Sequence, residues 1–88
     1  MNWHVYILKC PDGRLYIGVT TDISRRLKQH RQGQGAAFTR TFGVDELCYS
    51  ETFLNKSEAF SREIQLKKWT HKKKLALIAG DKELLKKL

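Results

Sequence analysis

A single proline, two cysteines and one methionine stand in this 88-residue chain, and acidic residues are scarce beside basic ones. Cys10 and Cys48 lie far apart and match no metal-ligand spacing, which excludes a cysteine-based metal site. Both fall in strand-like runs and read as buried thiols. No apolar run approaches the roughly 20 residues that cross a bilayer, which excludes a membrane-spanning helix. The start, Met1-Asn2-Trp3-His4, has neither the basic opening nor the long apolar stretch of a secretory signal. A cytoplasmic protein is expected. There is no internal repeat and no low-complexity linker, so a repeat architecture is excluded as well.

What the chain does have is a globular composition, 41% hydrophobic and 30% charged. Its 17 Lys+Arg against 9 Asp+Glu leave a net charge of +8. Such an excess favours a polyanionic partner, either nucleic acid or an anionic membrane, over plain solubility. The length allows one domain at most. A chain of this size buries about 60–65% of the surface its unfolded form exposes, so its core is small but sufficient.

Residues 3–10 and 14–20 are β-type runs joined by Pro11-Asp12-Gly13, in which Pro presets φ and Gly accepts positive φ. A three-residue loop ending in Gly predicts a hairpin pairing Cys10 with Arg14, Leu8 with Tyr16 and Tyr6 with Gly18. Tyr6, Leu8, Tyr16 and Gly18 then share one face. Asp22 is a good N-cap for a helix over roughly 23–32, ended by Gly33. Residues 33–43, with three glycines, Thr39, Arg40 and Thr41, read as a mobile basic loop. Residues 46–53 read as a third strand. Asn55 or Ser57 caps a helix to about Trp69, Thr70 caps another over 71–79 that stops at Gly80, and Asp81 starts a short last one. The order ββαβααα with an antiparallel opening is an α+β pattern.

Certain polar residues fall where the apolar pattern points inward. On the first helix Ile23 and Leu27 mark the buried stripe, and Arg26 and His30 lie within about 60° of Ile23 at 100° per residue. Arg25, Lys28 and Arg31 point elsewhere. Taken alone, the pair reads more readily as a snorkelling arginine and a boundary histidine than as chemistry. On the next helix Ala59, Phe60, Ile64 and Leu66 define an apolar face, with Glu63 near its middle. A carboxylate there is costly unless it is paired or bound to a metal. A salt bridge to Lys67, Arg26 or Arg62 and a metal site are balanced readings. Tyr6 and Tyr16 are ordinary strand residues, but Gly18 beside them removes a side chain and permits close approach of a ligand. The run Lys67-Lys68-Trp69-Thr70-His71-Lys72-Lys73-Lys74 is either a phosphate grip or a solvated helix face.

These elements together resemble the GIY-YIG nuclease domain. His4-Val5-Tyr6 stands where that family has Gly-Ile-Tyr, and Tyr16-Ile17-Gly18 is an intact Tyr-Ile-Gly. Thr21 to His30 looks like the family's arginine helix, and Ser57 to Glu63 like its glutamate helix. The likeness extends over about residues 3–79 and is closest to small stand-alone bacterial members of the UPF0213 type. It implies a three-stranded antiparallel sheet flanked by helices, with residues 1–80 as the domain and 81–88 as a short helical tail. It also implies metal-dependent endonuclease action on DNA, including damaged, nicked or branched forms. Carried over, Glu63 is the ligand of one divalent metal, Mg²⁺ or Mn²⁺, and Arg26 stabilises charge on the attacked phosphate. Tyr6 acts as general base or orients the attacking water, Tyr16 assists, and His30 holds or relays a proton. Gly18, Arg40, Lys67, Lys68, Lys72, Lys73 and Lys74 are the expected nucleic-acid contacts. A protein partner supplying specificity is a further expectation. The competing reading is a nucleic-acid-binding module with weak or no cleavage.

Overall fold

Pro11-Asp12-Gly13 turns the chain as its chemistry requires. In a computed structural model, which describes residues 1–31 and 46–88, Gly13 adopts φ +90°. The Gly13 N–H donates to the Cys10 carbonyl, and the Cys10 N–H to the Arg14 carbonyl, both at 2.9 Å. The turn joins β1 (Trp3–Lys9) to β2 (Leu15–Thr20). Their register pairs Leu8 with Tyr16 and Tyr6 with Gly18, as the loop length predicts.

The third strand, β3 (Glu46–Phe53), pairs antiparallel to the other side of β1, giving the order β2-β1-β3. β1 is therefore central, and its Val5, Tyr6, Ile7 and Leu8 are all buried. The β1–β3 register shifts between Ile7, opposite Tyr49, and Leu8, opposite Leu47. Cys48 is the extra residue of this bulge. A bulged residue leaves the regular alternation, and so Cys48 is half-buried rather than buried as expected, while Cys10 is fully buried.

Among the described residues, four helices follow the capping signals. Asp22 Oδ1 accepts the Arg25 N–H at 3.0 Å and starts α1 (Ile23–Arg31). Asn55, not Ser57, caps α2 (Lys56–Lys67), accepting the Glu58 N–H at 2.9 Å. This helix ends before Trp69. Thr70 caps α3 (His71–Ala79), which ends at Gly80 with φ +71°. Asp81 caps α4 (Lys82–Lys87). The predicted loop 33–43 and the Gly33 stop lie outside the described residues.

The pleat divides the sheet's two faces between different layers. Val5, Ile7 and Ile17 form the core with Ala59 and Leu66 of α2, with Leu77 and Ile78 of α3 packed against it. Fully burying each such aliphatic side chain contributes about 1.5–3 kcal/mol. The opposite face carries Tyr6, Leu8, Tyr16 and Gly18, and meets α1 through His30. The most buried residue of α1 is His30, 2% exposed, while the expected anchors Ile23 and Leu27 are only partly buried.

The inward face of α2 is narrower than expected. Ala59 and Leu66 are buried, but Phe60 and Ile64 are 38% and 54% exposed. They stand about 100–140° around the helix from Ala59. Phe60 instead packs against Trp3, ring centroids 6.1 Å apart. No helix among the described residues is long and apolar enough to cross a membrane.

Candidate active site

The site is built around one buried phenol. Tyr6 is held on the central strand, and its hydroxyl lies 3.2 Å from His30 Nε2. The Tyr16 ring stands edge-on to the same imidazole at 5.0 Å and lies 6.3 Å from the Tyr6 ring. Alternation along paired strands brings the two phenols together, and the α1 stripe delivers the imidazole. Gly18 completes the packing. A Cβ there would come within 2.6 Å of Tyr6 Cζ. The space left by Gly18 is thus filled by the Tyr6 phenol instead of being open to a ligand backbone.

Charge surrounds this floor on two sides. Burial, and then the Tyr16 phenol, push the Tyr6 pKa well above its ordinary value. The Arg26 charge opposes that rise and the Glu63 charge adds to it, so both residues act on the phenol. Burial first, and then Arg26, hold His30 below the usual imidazole range. At neutral pH the cluster therefore holds a protonated phenol against an uncharged imidazole. Arg26 also borders a polar recess of about 270 Å³ with Thr20, Thr21, Asp22, Arg25 and Gln29. It forms no ion pair among the described residues.

Glu63 lies on the inward face of α2 between Ala59 and Leu66. Its side chain is 15% exposed and meets Lys67 Nζ at 3.4 Å, one helical turn on. Of the three partners foreseen for it, Lys67 is the one found. Among the described residues no three His, Cys, Asp or Glu side chains gather as a metal cage. The donor set fits a hard cation that uses one protein carboxylate and takes its other ligands from water and phosphate oxygens. It does not fit a preformed three-ligand centre.

Arg62, the remaining foreseen partner, is used elsewhere. Its Nε and Nη2 donate to Oε1 and Oε2 of Glu51, each at 2.9 Å, and Nη1 donates to Gln65 at 2.7 Å. The Tyr49 hydroxyl donates to the same Glu51 carboxylate. The guanidinium lies 5.1 Å from the Trp69 ring centre. Burial would raise the Glu51 carboxyl, but the Arg62 and Tyr49 hydrogen bonds and the Arg62 charge bring it below the ordinary carboxylate range. Burial, followed by the Glu51 contact, pushes Tyr49 up to about 12. Sequence reasoning missed this group. The one available signal was alternation on β3, which puts Tyr49 and Glu51 on one face.

Of the basic contacts expected, Lys67, Lys68 and Lys72 are exposed, and Lys73 and Lys74 are half-buried. Arg40 lies outside the described residues.

An antiparallel sheet with helices on both faces, paired tyrosines, an arginine helix and an inward glutamate defines a class that the comparisons identify. Residues 2–76 match the GIY-YIG catalytic domain, and the chain belongs to that family. Within it, the chain is similar to proteins called UPF0213. It is 48% identical over 73 residues to one from Bacillus pumilus, covering 83% of this chain and 74% of the relative. A second, from Cronobacter sakazakii, is 42% identical over 80 residues, covering 91% and 84%. The solution NMR structure of the UPF0213 protein of Bacillus halodurans matches with a TM-score of 0.58 and 43% identity, over 90% of this chain and 84% of that one. The solution structure of an E. faecalis protein matches with a TM-score of 0.64 and 35% identity, over 91% and 85%. The family implies nuclease activity and nucleic-acid binding in general terms.

Proposed function

We propose that this protein is a metal-dependent endonuclease that hydrolyses DNA phosphodiester bonds. The observation that carries the reading is the buried Tyr6 hydroxyl 3.2 Å from His30 Nε2 with the Tyr16 ring against the same imidazole, together with Arg26 at a polar recess and an inward Glu63 whose side chain is 15% exposed. A structural role for this cluster has no need of opposite charges brought to one phenol.

The chemistry follows from charge and proton position. Arg26 meets the phosphate at its polar recess and opposes the negative charge that grows as water attacks. Glu63 would hold the cation, which when bound would supply Lewis-acid polarisation of the phosphate and ease deprotonation of water. Lys67, now 3.4 Å from that carboxylate, would have to give it up for the cation. The raised Tyr6 pKa makes the resting phenol a donor and not a base. With His30 uncharged, Nε2 accepts the Tyr6 proton as Tyr6 takes one from the attacking water. Tyr16 packs against the imidazole and fixes its plane. The exposed Lys67, Lys68 and Lys72 grip the backbone electrostatically without reading sequence. A compact site of this kind suits damaged, nicked or branched DNA, with a protein partner supplying specificity, in the cytoplasm.

The Lys67–Glu63 pair favours a second reading, a nucleic-acid-binding module with little cleavage, because Lys67 occupies the carboxylate. One experiment separates the two. Purified protein is mixed with labelled single-stranded, duplex, nicked and branched DNA in Mg²⁺, Mn²⁺ or EDTA, beside Arg26→Ala and Glu63→Gln. Metal-dependent cutting that both variants lose supports the nuclease. Binding without cutting, or equal cutting by the variants, supports the module.

A further inference from the structure

The C-terminal tail lies beyond the 2–76 family match, yet it completes a second recess. Gly80 turns the chain through the left-handed region, and the Asp81 N–H donates to the Ala76 carbonyl at 3.0 Å, setting α4 against α3. Lys82, Leu85 and Lys86 then share one side of α4, three and four residues apart. They face Trp69 and Lys73 across a recess of about 340 Å³. That volume is within the range of about 300–1,000 Å³ typical of ligand sites.

Its lining is unusual for a structural crevice. The floor is apolar, formed by Trp69 and Leu85, while the rim carries Lys73, Lys82 and Lys86 and no carboxylate. Lys73 Nζ already sits 4.2 Å from the Trp69 ring centre. Trp69 is anchored from behind by the core and by Arg62, which the Glu51 clamp holds in place. An aromatic platform ringed by cations has the complementarity of a polynucleotide whose bases are not paired: the platform takes a base face, and the ammonium groups take phosphates. An anionic lipid surface fits less well, because a lipid headgroup has no flat π-face to stack on Trp69.

We infer that the Trp69 recess is a docking site for single-stranded DNA, formed jointly by α3 and the tail helix α4. A base enters between Trp69 and Leu85 and displaces the Lys73 ammonium from the ring. That ammonium, with Lys82 and Lys86, then pairs with the adjoining phosphates. Inside a duplex the base faces are buried in the stack, so a closed helix is held only by charge. The recess shares no residue with the Tyr6 cluster, so its occupancy does not depend on cleavage.

The test uses Trp3→Phe protein, which leaves Trp69 as the sole tryptophan. It is titrated in EDTA with oligothymidylate of about 12 nucleotides, inside the usual footprint of about 4–16. Trp69 emission is expected to be quenched by the oligomer, and not by an abasic oligomer or a duplex of equal length. In the full native chain, anisotropy of the labelled oligomer gives the affinity independently of Trp3. Lys82→Ala/Lys86→Ala is expected to weaken it about tenfold and to flatten its salt dependence. Unchanged Trp69 emission, equal quenching by the abasic oligomer, or undiminished affinity of the double variant overturns the proposal. So does tight binding to phosphatidylglycerol vesicles without binding to oligothymidylate. Glu63→Gln is expected to keep the full quenching, so a failure of the nuclease reading alone leaves this site standing.

Discussion

Two groups in this small protein combine the same side chains, a tyrosine, a carboxylate and an arginine. In one, Tyr49, Glu51 and Arg62 are locked together. The guanidinium forks onto both carboxylate oxygens at 2.9 Å, and the phenol donates to one of them. In the other, Tyr6 is locked to His30, but Arg26 forms no ion pair among the described residues and Glu63 is met only by a half-exposed lysine at 3.4 Å. A group whose charges neutralise one another is a brace. A group that holds opposite charges near one phenol without joining them keeps its electrostatic capacity for something that arrives. The difference separates stability from chemistry within one fold.

The largest expected effect breaks the open group. Arg26→Ala should lower cleavage by about 10²–10³-fold, the usual loss for a charge-stabilising donor. Its urea midpoint should stay near wild type, because no internal ion pair is removed. Arg62→Ala should do the reverse. It leaves Glu51 underpaired at 20% exposure, between the surface and buried limits, so the expected loss is about 1–3 kcal/mol of unfolding free energy. Urea unfolding measures it, and cleavage per folded molecule should be nearly unchanged. If Arg62→Ala abolished cleavage without destabilising, the two groups would have been assigned the wrong way round.

Gly18→Ala sharpens the same contrast from the packing side. Its Cβ would meet the buried Tyr6 ring, so a loss of about 1–3 kcal/mol is expected from overpacking. Thermal unfolding would show it, along with a disturbed Tyr6 environment. A smaller effect concerns pH. His30 has a folded pKa below its ordinary 6.5, so the unfolded chain binds the proton first as pH falls. This contribution is fully present above 6.5 and is lost on acidification through the folded value. Its slope is at most about 1.4 kcal/mol per pH unit. His30→Gln should remove this slope while leaving the more acidic loss due to Glu51, whose folded carboxyl is also lowered. The smallest effect should come from Lys67→Ala. The lysine end of the pair is exposed but the Glu63 side chain is only 15% exposed, so the expected loss is about 0.5–1 kcal/mol, at the upper end for such pairs. Half-maximal cleavage should need less metal, since a competitor for Glu63 is gone.

Much of this arrangement was legible before any coordinates. The three-residue turn fixed which residues of β1 face which of β2, and so put Tyr6 beside Tyr16. Helical angle alone set Arg26 and His30 together and turned Glu63 inward. The Asp22, Thr70 and Asp81 caps were readable because each is a local bond to a backbone N–H a few residues on. Phe60 and Ile64 were misread as core, since hydrophobicity gives their preference and not whether a partner is there to cover them. Gly18 was read as an opening because a missing side chain looks the same whether a ligand or a neighbouring ring fills the space.

The sequence by itself determined the elements, the hairpin register and which side chains share a face, because each depends on neighbours within a few residues or across one tight turn. Only the tertiary structure decided that β1 lies at the centre of the sheet and that a bulge falls at Cys48. It alone decided that Arg62 belongs to Glu51 and leaves Glu63 to Lys67. Those outcomes depend on pairings between segments far apart in the chain, where several partners of like chemistry compete and packing selects among them.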